Sequence, residues 1–384
     1  METLLAQLGN RQDPQTGAVS MPIYHSTTFS HPETGHSTGF DYTRTANPTR
    51  SVLESAIATL EGGVRGFAFA SGMAAVTCVL TLFKSGDHLV VSDDLYGGTY
   101  RLLEQVLSFT GLSTTYVDMS DLAAVEAAIR PNTQALFIET PTNPTMKITD
   151  IAGCVGIANR HHIMTIVDNT FMTPYYQKPI GLGADLVVHS ATKFLGGHND
   201  VLAGLVVASD ETVAARIGQL QNGIGAVLGP QDCWLLMRGM KTLGLRMERC
   251  TENAKVLAKW LQRQSIVTRV FYPTLDNHPG RFVHEKQSTG GGGMVSFELS
   301  DARFVKPVLD GIKLITFAES LGGVESLMTY PATQTHADMP KDVREAVGVS
   351  DRLLRFSVGI EHIDDLMADL AQAFDHAQGE MAAQ

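Results

Sequence analysis

Between about residues 65 and 208 the chain repeats one pattern. A short, nearly all-apolar run is followed by a longer stretch of helical length, again and again. The runs are GFAFAS, HLVVS, TTYVD, QALFIET, MTIVDNT, ADLVVHS and LAGLVVAS. A strand with one wet face alternates apolar and polar residues. A strand that is apolar throughout must be covered on both faces, which points to a parallel sheet between layers of helices. The fold class predicted is therefore α/β. ESAIATLEGG, a helix stopping at glycines, precedes the first run, and GMAAVTCVLTLFK, GGTYRLLEQVLSFTG and DLAAVEAAIR supply helices between the runs.

The flanks read differently. Residues 1–58 open with a polar stretch rich in Pro, Gly, Thr and His and are expected to form an arm. Residues 59–240 form the α/β domain. Residues 241–384 form a smaller α+β domain, in which TRVFYP, GMVSFEL, IKLITFAES and LLRFSVGIE alternate with helices. A net charge of −11 argues against nucleic acid or an anionic membrane as a partner. METLLAQLGN has neither the basic start nor the apolar run of a signal peptide. No apolar run reaches the roughly 18 residues of a membrane span. The expectation is a soluble, cytoplasmic protein. Cys78, Cys154, Cys233 and Cys250 are too widely spaced for a C-x-x-C. His161 and His162 are adjacent and would point to different faces of a helix, so no metal site is expected.

Gly35-His36-Ser37-Thr38-Gly39 matches G-x-S-x-G but lacks the strand before and the helix after that a nucleophile elbow needs. Walker A, G-x-G-x-x-G and H-E-x-x-H are absent. The stretch 164–200 carries more. One apolar run ends at Asp168. Another ends in His189-Ser190-Ala191-Thr192-Lys193 and is followed by a glycine-rich turn. In an open parallel sheet ligands bind beyond the carboxyl ends of the strands, so an acid and a lysine arrive at one rim. Position alone leaves a structural Asp–Lys ion pair equally open. Chemistry favours a site for pyridoxal 5′-phosphate, which needs a lysine able to form a Schiff base, a carboxylate for its ring nitrogen and donors for its phosphate. Ser71-Gly72-Met73, between a strand and a helix, offers an anion cradle, although an ordinary N-cap serine also explains it. Tyr96 at a strand end can stack on a planar ring or fill a core. Arg44 stands in a polar arm where no core requires it. Arg355 lies inside an apolar run, so its partner is either a structural acid or a substrate carboxylate.

Taken together, YTRTANPTR, FASGMAA, DLYGGTYR, ETPTNP, VDNTF, HSATKFLGGHND, FAESLGGVESL, PATQTH and RFSVGIEH, in this order, resemble the pyridoxal-phosphate enzymes of cysteine and methionine metabolism, the transsulfuration family. The likeness runs from about residue 8 to 378. It implies an aspartate-aminotransferase-like fold and a homotetramer of two tight dimers acting on small amino acids. It also implies roles. Lys193 is the Schiff-base lysine, Asp168 the partner of the ring nitrogen, and Tyr96 the stacking residue and a second acid/base. Gly72, Met73, Ser190 and Thr192 hold the phosphate, and Tyr42 and Arg44 reach the phosphate of a neighbouring subunit. Arg355, Asn143 and Ser320 hold the amino-acid carboxylate. Methionine γ-lyases carry a cysteine where this chain has Gly98. Enteric cystathionine β-lyases carry an aromatic residue where this chain has Glu319. With Glu319 able to guide the distal part of a substrate, the chain looks most similar to Gram-positive cystathionine γ-synthase/O-acetylhomoserine thiolyase enzymes. Cystathionine cleavage, at the γ or the β position, is the alternative, and a non-catalytic regulatory protein on the same fold is a remote one, against which the presence of Lys193, Asp168, Tyr96 and Arg355 together argues.

Overall fold

The computed structural model describes residues 1–337 and 339–383. Each of the seven apolar runs is a strand: β1 (Arg65–Phe69), β2 (His88–Ser92), β3 (Ser113–Val117), β4 (Thr133–Glu139), β5 (Met164–Asp168), β6 (Leu186–Ser190) and β7 (Gly204–Ala208). They form one sheet in the order β1-β7-β6-β5-β4-β2-β3. Five neighbouring strands, from β6 through β3, run parallel. β7 is antiparallel to both β6 and β1, so the sheet is parallel-rich rather than wholly parallel. The reason the run LAGLVVAS hides its direction is physical: a strand covered on both faces is apolar whichever way it points.

Helices α1 (Glu2–Ala6), α2 (Pro48–Glu61) and α3 (Gly72–Leu80) come first in the chain. In α2, Asn47 accepts the Thr49 and Arg50 N–H groups, Pro48 starts the first turn and Gly62 ends it at φ 80°, the usual asymmetry of helix ends. Leu53, Ile57 and Leu60 of α2 pack with Val187, Leu205 and Val207 on one face of the sheet. Residues 48–58 therefore belong to the packed layer, although they were expected in the arm. Leu5 and Leu8 are buried in the same cluster, so the first residues are anchored too. On the opposite face α3 buries Val76, Cys78 and Val79 against Phe67, Phe69, Leu89 and Val91. The stretch expected to be one helix after Tyr96 is broken: an α-helix over Gly97–Leu102 passes into a π-helical turn over Leu103–Leu107.

A second sheet holds β8 (Val267–Phe271), β9 (Met294–Leu299), β10 (Thr316–Phe317), β11 (Leu327–Thr329) and β12 (Leu353–Ser357), in the order β10-β11-β12-β9-β8. It packs on the long helix Leu243–Leu261 and the helix Ile363–Ala383 through Val295, Phe297, Phe356, Leu366 and Leu370. Among the described residues no helix is long and apolar enough to cross a membrane, and no cluster of acids, histidines and cysteines could hold a metal.

Candidate active site

The carboxyl ends of β4, β5 and β6 lie side by side. Glu139 is in register with Asp168, and Asp168 with Val188, two residues before Ser190. These ends open onto a cleft of about 950 Å³, counting its solvent-open part. It is lined among others by Gly72, Met73, Tyr96, Asn143, Asp168, Ser190, Thr192, Lys193, Glu319, Ser320 and Arg355. Eleven of the thirteen residues that the sequence nominates thus meet in one place. Tyr42 and Arg44 do not. Tyr42 is 45% exposed on the arm, with the Arg44 guanidinium 5.7 Å from its ring. Arg44 donates to the Asn222 carbonyl at 2.7 Å. Ser37 lies exposed on the same arm, bonded to Asp41, with no strand or helix around it. His161 approaches Glu126 and His162 ends its helix at φ 55°.

Lys193 follows β6 in a tight turn. Arg246, buried on the long helix, clamps that turn by donating to the carbonyls of Phe194 at 2.6 Å and Leu195 at 3.3 Å, and ties it to the helix Pro230–Met240 through the Gly239 carbonyl at 2.9 Å. Lys193 Nζ donates to Ser320 Oγ at 2.8 Å, which joins the two sheets. The close approach needs Gly322, at φ 80°, where a Cβ would meet Phe194 N at 2.5 Å. Ser320 itself takes φ 84°. That left-handed conformation costs a β-carbon residue about 1–2 kcal/mol, and such strain gathers at working sites. Burial pushes the Lys193 amine down to about 8. The Arg355 guanidinium acts in the same direction, and Glu319 opposes it.

Arg355, on β12, is 1% exposed. It donates to Asn143 Oδ1 at 2.9 Å, the Ser320 carbonyl at 2.9 Å and Thr329 Oγ1 at 3.0 Å, while its Nε has no partner. All three acceptors are neutral. A buried guanidinium without a paired anion is costly, so the site is electrically unfinished and suited to a carboxylate. Burial pushes the Asp168 carboxyl up, although Thr170 donates to it through both N–H and Oγ. Beneath it, Asn169 Nδ2 and His189 Nε2 both reach Glu61 Oε1, at 3.0 and 2.6 Å. That buried network holds the two strand ends that carry Asp168 and Ser190.

Pyridoxal phosphate fits this donor set. Ser71 caps α3, accepting the Ala74 N–H at 3.0 Å. A Cβ on Gly72 would come within 2.8 Å of the Ser190 Cβ, so the helix start and the hydroxyl flank one small space suited to an anion. A buried acid and a partly neutral lysine complete the set. Sequence reasoning passes over Glu139, Phe171 and Thr335, which also line the cleft, and Arg246. Glu139 could have been found, since it closes the run QALFIET at the same rim as Asp168.

Residues 2–375 match the family model described as Cys/Met metabolism PLP-dependent enzyme. The chain is 56% identical to the cystathionine gamma-synthase/O-acetylhomoserine (thiol)-lyase of Bacillus subtilis (strain 168), covering 97% of this chain and 96% of that protein. It is 50% identical to the cystathionine beta-lyase of Lactococcus lactis subsp. cremoris (strain MG1363), over 98% and 99%. The crystal structure of cystathionine gamma-lyase from Lactobacillus plantarum, complexed with L-serine, superposes with a TM-score of 0.96 at 48% identity, over 98% and 99% of the two chains. Since the likeness spans both sheets and every segment that builds the cleft, the chain belongs to the pyridoxal-phosphate-dependent enzymes of cysteine and methionine metabolism, and its cofactor is pyridoxal 5′-phosphate.

Proposed function

We propose that this enzyme carries out γ-replacement on an O-acylhomoserine, with cysteine or sulfide as the incoming nucleophile, in methionine biosynthesis. The observation that carries this reading is Glu319. It is an exposed acid in the cleft lining, next to the Ser320 that Lys193 touches. A carboxylate there can hold the ammonium of an incoming cysteine or of a cystathionine and steer the γ-carbon chain, so it supports chemistry at the γ-carbon, and the 56% identity to the Bacillus subtilis cystathionine gamma-synthase/O-acetylhomoserine (thiol)-lyase supports replacement over cleavage.

Lys193, Asp168, Tyr96, Gly72, Met73, Ser190 and Thr192 would hold the cofactor. When bound, pyridoxal phosphate accepts the electrons released when the substrate Cα–H bond breaks. Lys193, partly neutral near pH 8, takes the proton from Cα and returns it. Asp168 holds the ring nitrogen's proton, which its burial and its fixed hydrogen bonds to Thr170 allow. Thr192 now donates to the Ala203 carbonyl at 3.2 Å, so its hydroxyl must turn to serve a phosphate. Arg355 and Asn143 take the substrate carboxylate, with Ser320 shaping the space between them and Lys193. Tyr96, 40% exposed, covers the ring and serves as a second acid/base.

Tyr42 and Arg44 complete the phosphate site of a neighbouring subunit, in a homotetramer of two tight dimers. Their exposed position on an arm outside this chain's own cleft supports that reading. The division into arm, cofactor domain and C-terminal domain belongs to the same proposal, with the arm ending at Asn47 where α2 begins. The four cysteines are buried and unpaired, as suits a protein of the reducing cytoplasm. Cleavage of cystathionine is the second reading, supported by the likeness to the beta-lyase and gamma-lyase above. Product analysis separates the two. γ-Replacement predicts cystathionine or homocysteine from O-acetyl- or O-succinylhomoserine with cysteine or sulfide. Faster turnover of cystathionine alone would overturn it.

A further inference from the structure

Glu139 ends β4 in the wall of the cleft and is 6% exposed. Its two carboxylate oxygens are divided between two segments. Oε2 accepts the Tyr96 N–H at 2.9 Å, and Oε1 accepts the Asn143 N–H at 3.1 Å. Asn143 in turn accepts from Arg355 through Oδ1 at 2.9 Å. One acid therefore fastens the residue assigned to the cofactor ring and, one hydrogen bond further on, the guanidinium assigned to the substrate. The residue type is demanding. An apolar side chain would leave two buried N–H groups without acceptors. A glutamine would turn an NH₂ towards one of the two N–H donors. Only a carboxylate accepts at both ends. Next to Asp168 and out of water, that carboxylate is an expensive choice: burial first, then the Asp168 charge, push its carboxyl well up.

We propose that Glu139 is a positioning residue, a yoke that fixes the spacing between the Tyr96 loop and the Asn143–Arg355 pair, so that cofactor affinity and substrate affinity depend on one side chain. The inference rests on the assignment above of Asn143 and Arg355 to the substrate carboxylate and of Tyr96 to the cofactor.

The test compares the wild type with Glu139→Gln, Asn143→Ala and the double variant. Three quantities are measured: the dissociation constant of pyridoxal phosphate from titration of cofactor-free protein, the thermal midpoint, and KM for the amino acid that the wild type turns over, at equal cofactor occupancy. Glutamine removes the charge from both bonds and the acceptor from one of them, and because one side chain sets the spacing of both segments this predicts a rise of roughly ten- to hundredfold in both the cofactor dissociation constant and KM. In the Asn143→Ala background the same change should raise KM by no more than about twofold, because the path through Asn143 is already cut. A lowered thermal midpoint with unchanged KM would reduce Glu139 to a structural residue and overturn the yoke, as would KM effects that simply multiply. If Asn143→Ala alone leaves KM unchanged, the carboxylate assignment falls and the yoke with it. Should Glu139→Gln not fold, Glu139→Asp takes its place. It keeps the charge and draws both oxygens back by one methylene, and the same joint rise is expected.

Discussion

Lys193 must be neutral to attack the cofactor's aldehyde, and in the cofactor-free protein its surroundings make it so. Burial lowers the amine from 10.5 to about 8, with help from Arg355 and against Glu319. At about pH 7.5 a group with its midpoint near 8 is roughly one-quarter neutral, whereas an ordinary lysine is neutral at about one part in a thousand. The neutral fraction is therefore a few hundredfold that of an unperturbed lysine, and capture of pyridoxal phosphate should run faster by up to that factor, less what the weaker basicity takes from the amine's nucleophilicity. The capture rate should climb with pH and level off above about 8. Replacing Arg355 by Gln removes a like charge and should move that midpoint up. Glu319→Gln removes the opposing charge and should move it down. The assay is stopped-flow absorbance of capture across the pH range, divided by the rate per neutral molecule of a free amine measured in parallel, which cancels the cofactor's own ionisations and leaves the titration of Lys193. A midpoint near the ordinary 10.5, or a downward move in Arg355→Gln, would refute the reasoning. Stability is linked to the same shift. The folded chain holds the Lys193 proton less tightly than the unfolded chain, so the cost of burying the cation, roughly 3 kcal/mol, is fully present below pH 8. It fades as pH rises from 8 to 10.5, and from this group the cofactor-free protein should gain stability across that window.

Asp168→Asn should retain cofactor but lose roughly ten- to hundredfold in turnover, the worth of one charge-assisted hydrogen bond; equal turnover at equal occupancy would make Asp168 structural. Arg44→Ala should weaken cofactor retention, and mixing it with Lys193→Ala subunits should restore activity, because a shared site leaves one intact copy per hybrid dimer. Hybrids that form without activity would count against the shared site. Glu319→Ala should spare cofactor binding and exchange of the α-proton but change the ratio of cystathionine to 2-oxobutanoate made from O-acetylhomoserine and cysteine, by roughly tenfold or more. An unaltered ratio would remove the distal role.

Most of the strands were legible because burial on both faces writes itself as apolar runs, the half-buried edge strand β3, STTYV, being the weakest of them, and the rim of the cleft because β5 and β6 end in Asp168 and Ser190. Orientation was not legible in the same signal, which is why β7 surprises. β11 is three residues long, too short for any period to register. The π-helical turn after Leu102 lies in a sequence that an α-helix would accept equally well. Glu139 escaped for a different reason. It works by accepting main-chain N–H groups, and the partners of such a residue carry no side-chain signature. The thirteen nominated residues stand out together only through the order of their motifs; the meeting of eleven of them in space depends on Arg246, Gly322 and the strained Ser320, which tie together pieces far apart in the chain.

That tie has a consequence for how the molecule is made. The large sheet, with Lys193 and Asp168, is fully written once residue 208 has been translated, while Arg355 arrives about 150 residues later, at β12. At the usual pace of synthesis the gap is on the order of ten seconds, long compared with the folding of most domains. A nascent chain can thus shape much of its own cofactor pocket while the half that recognises an amino acid does not yet exist. The Lys193–Ser320 contact spans 127 residues of sequence, and such long closures come late in folding.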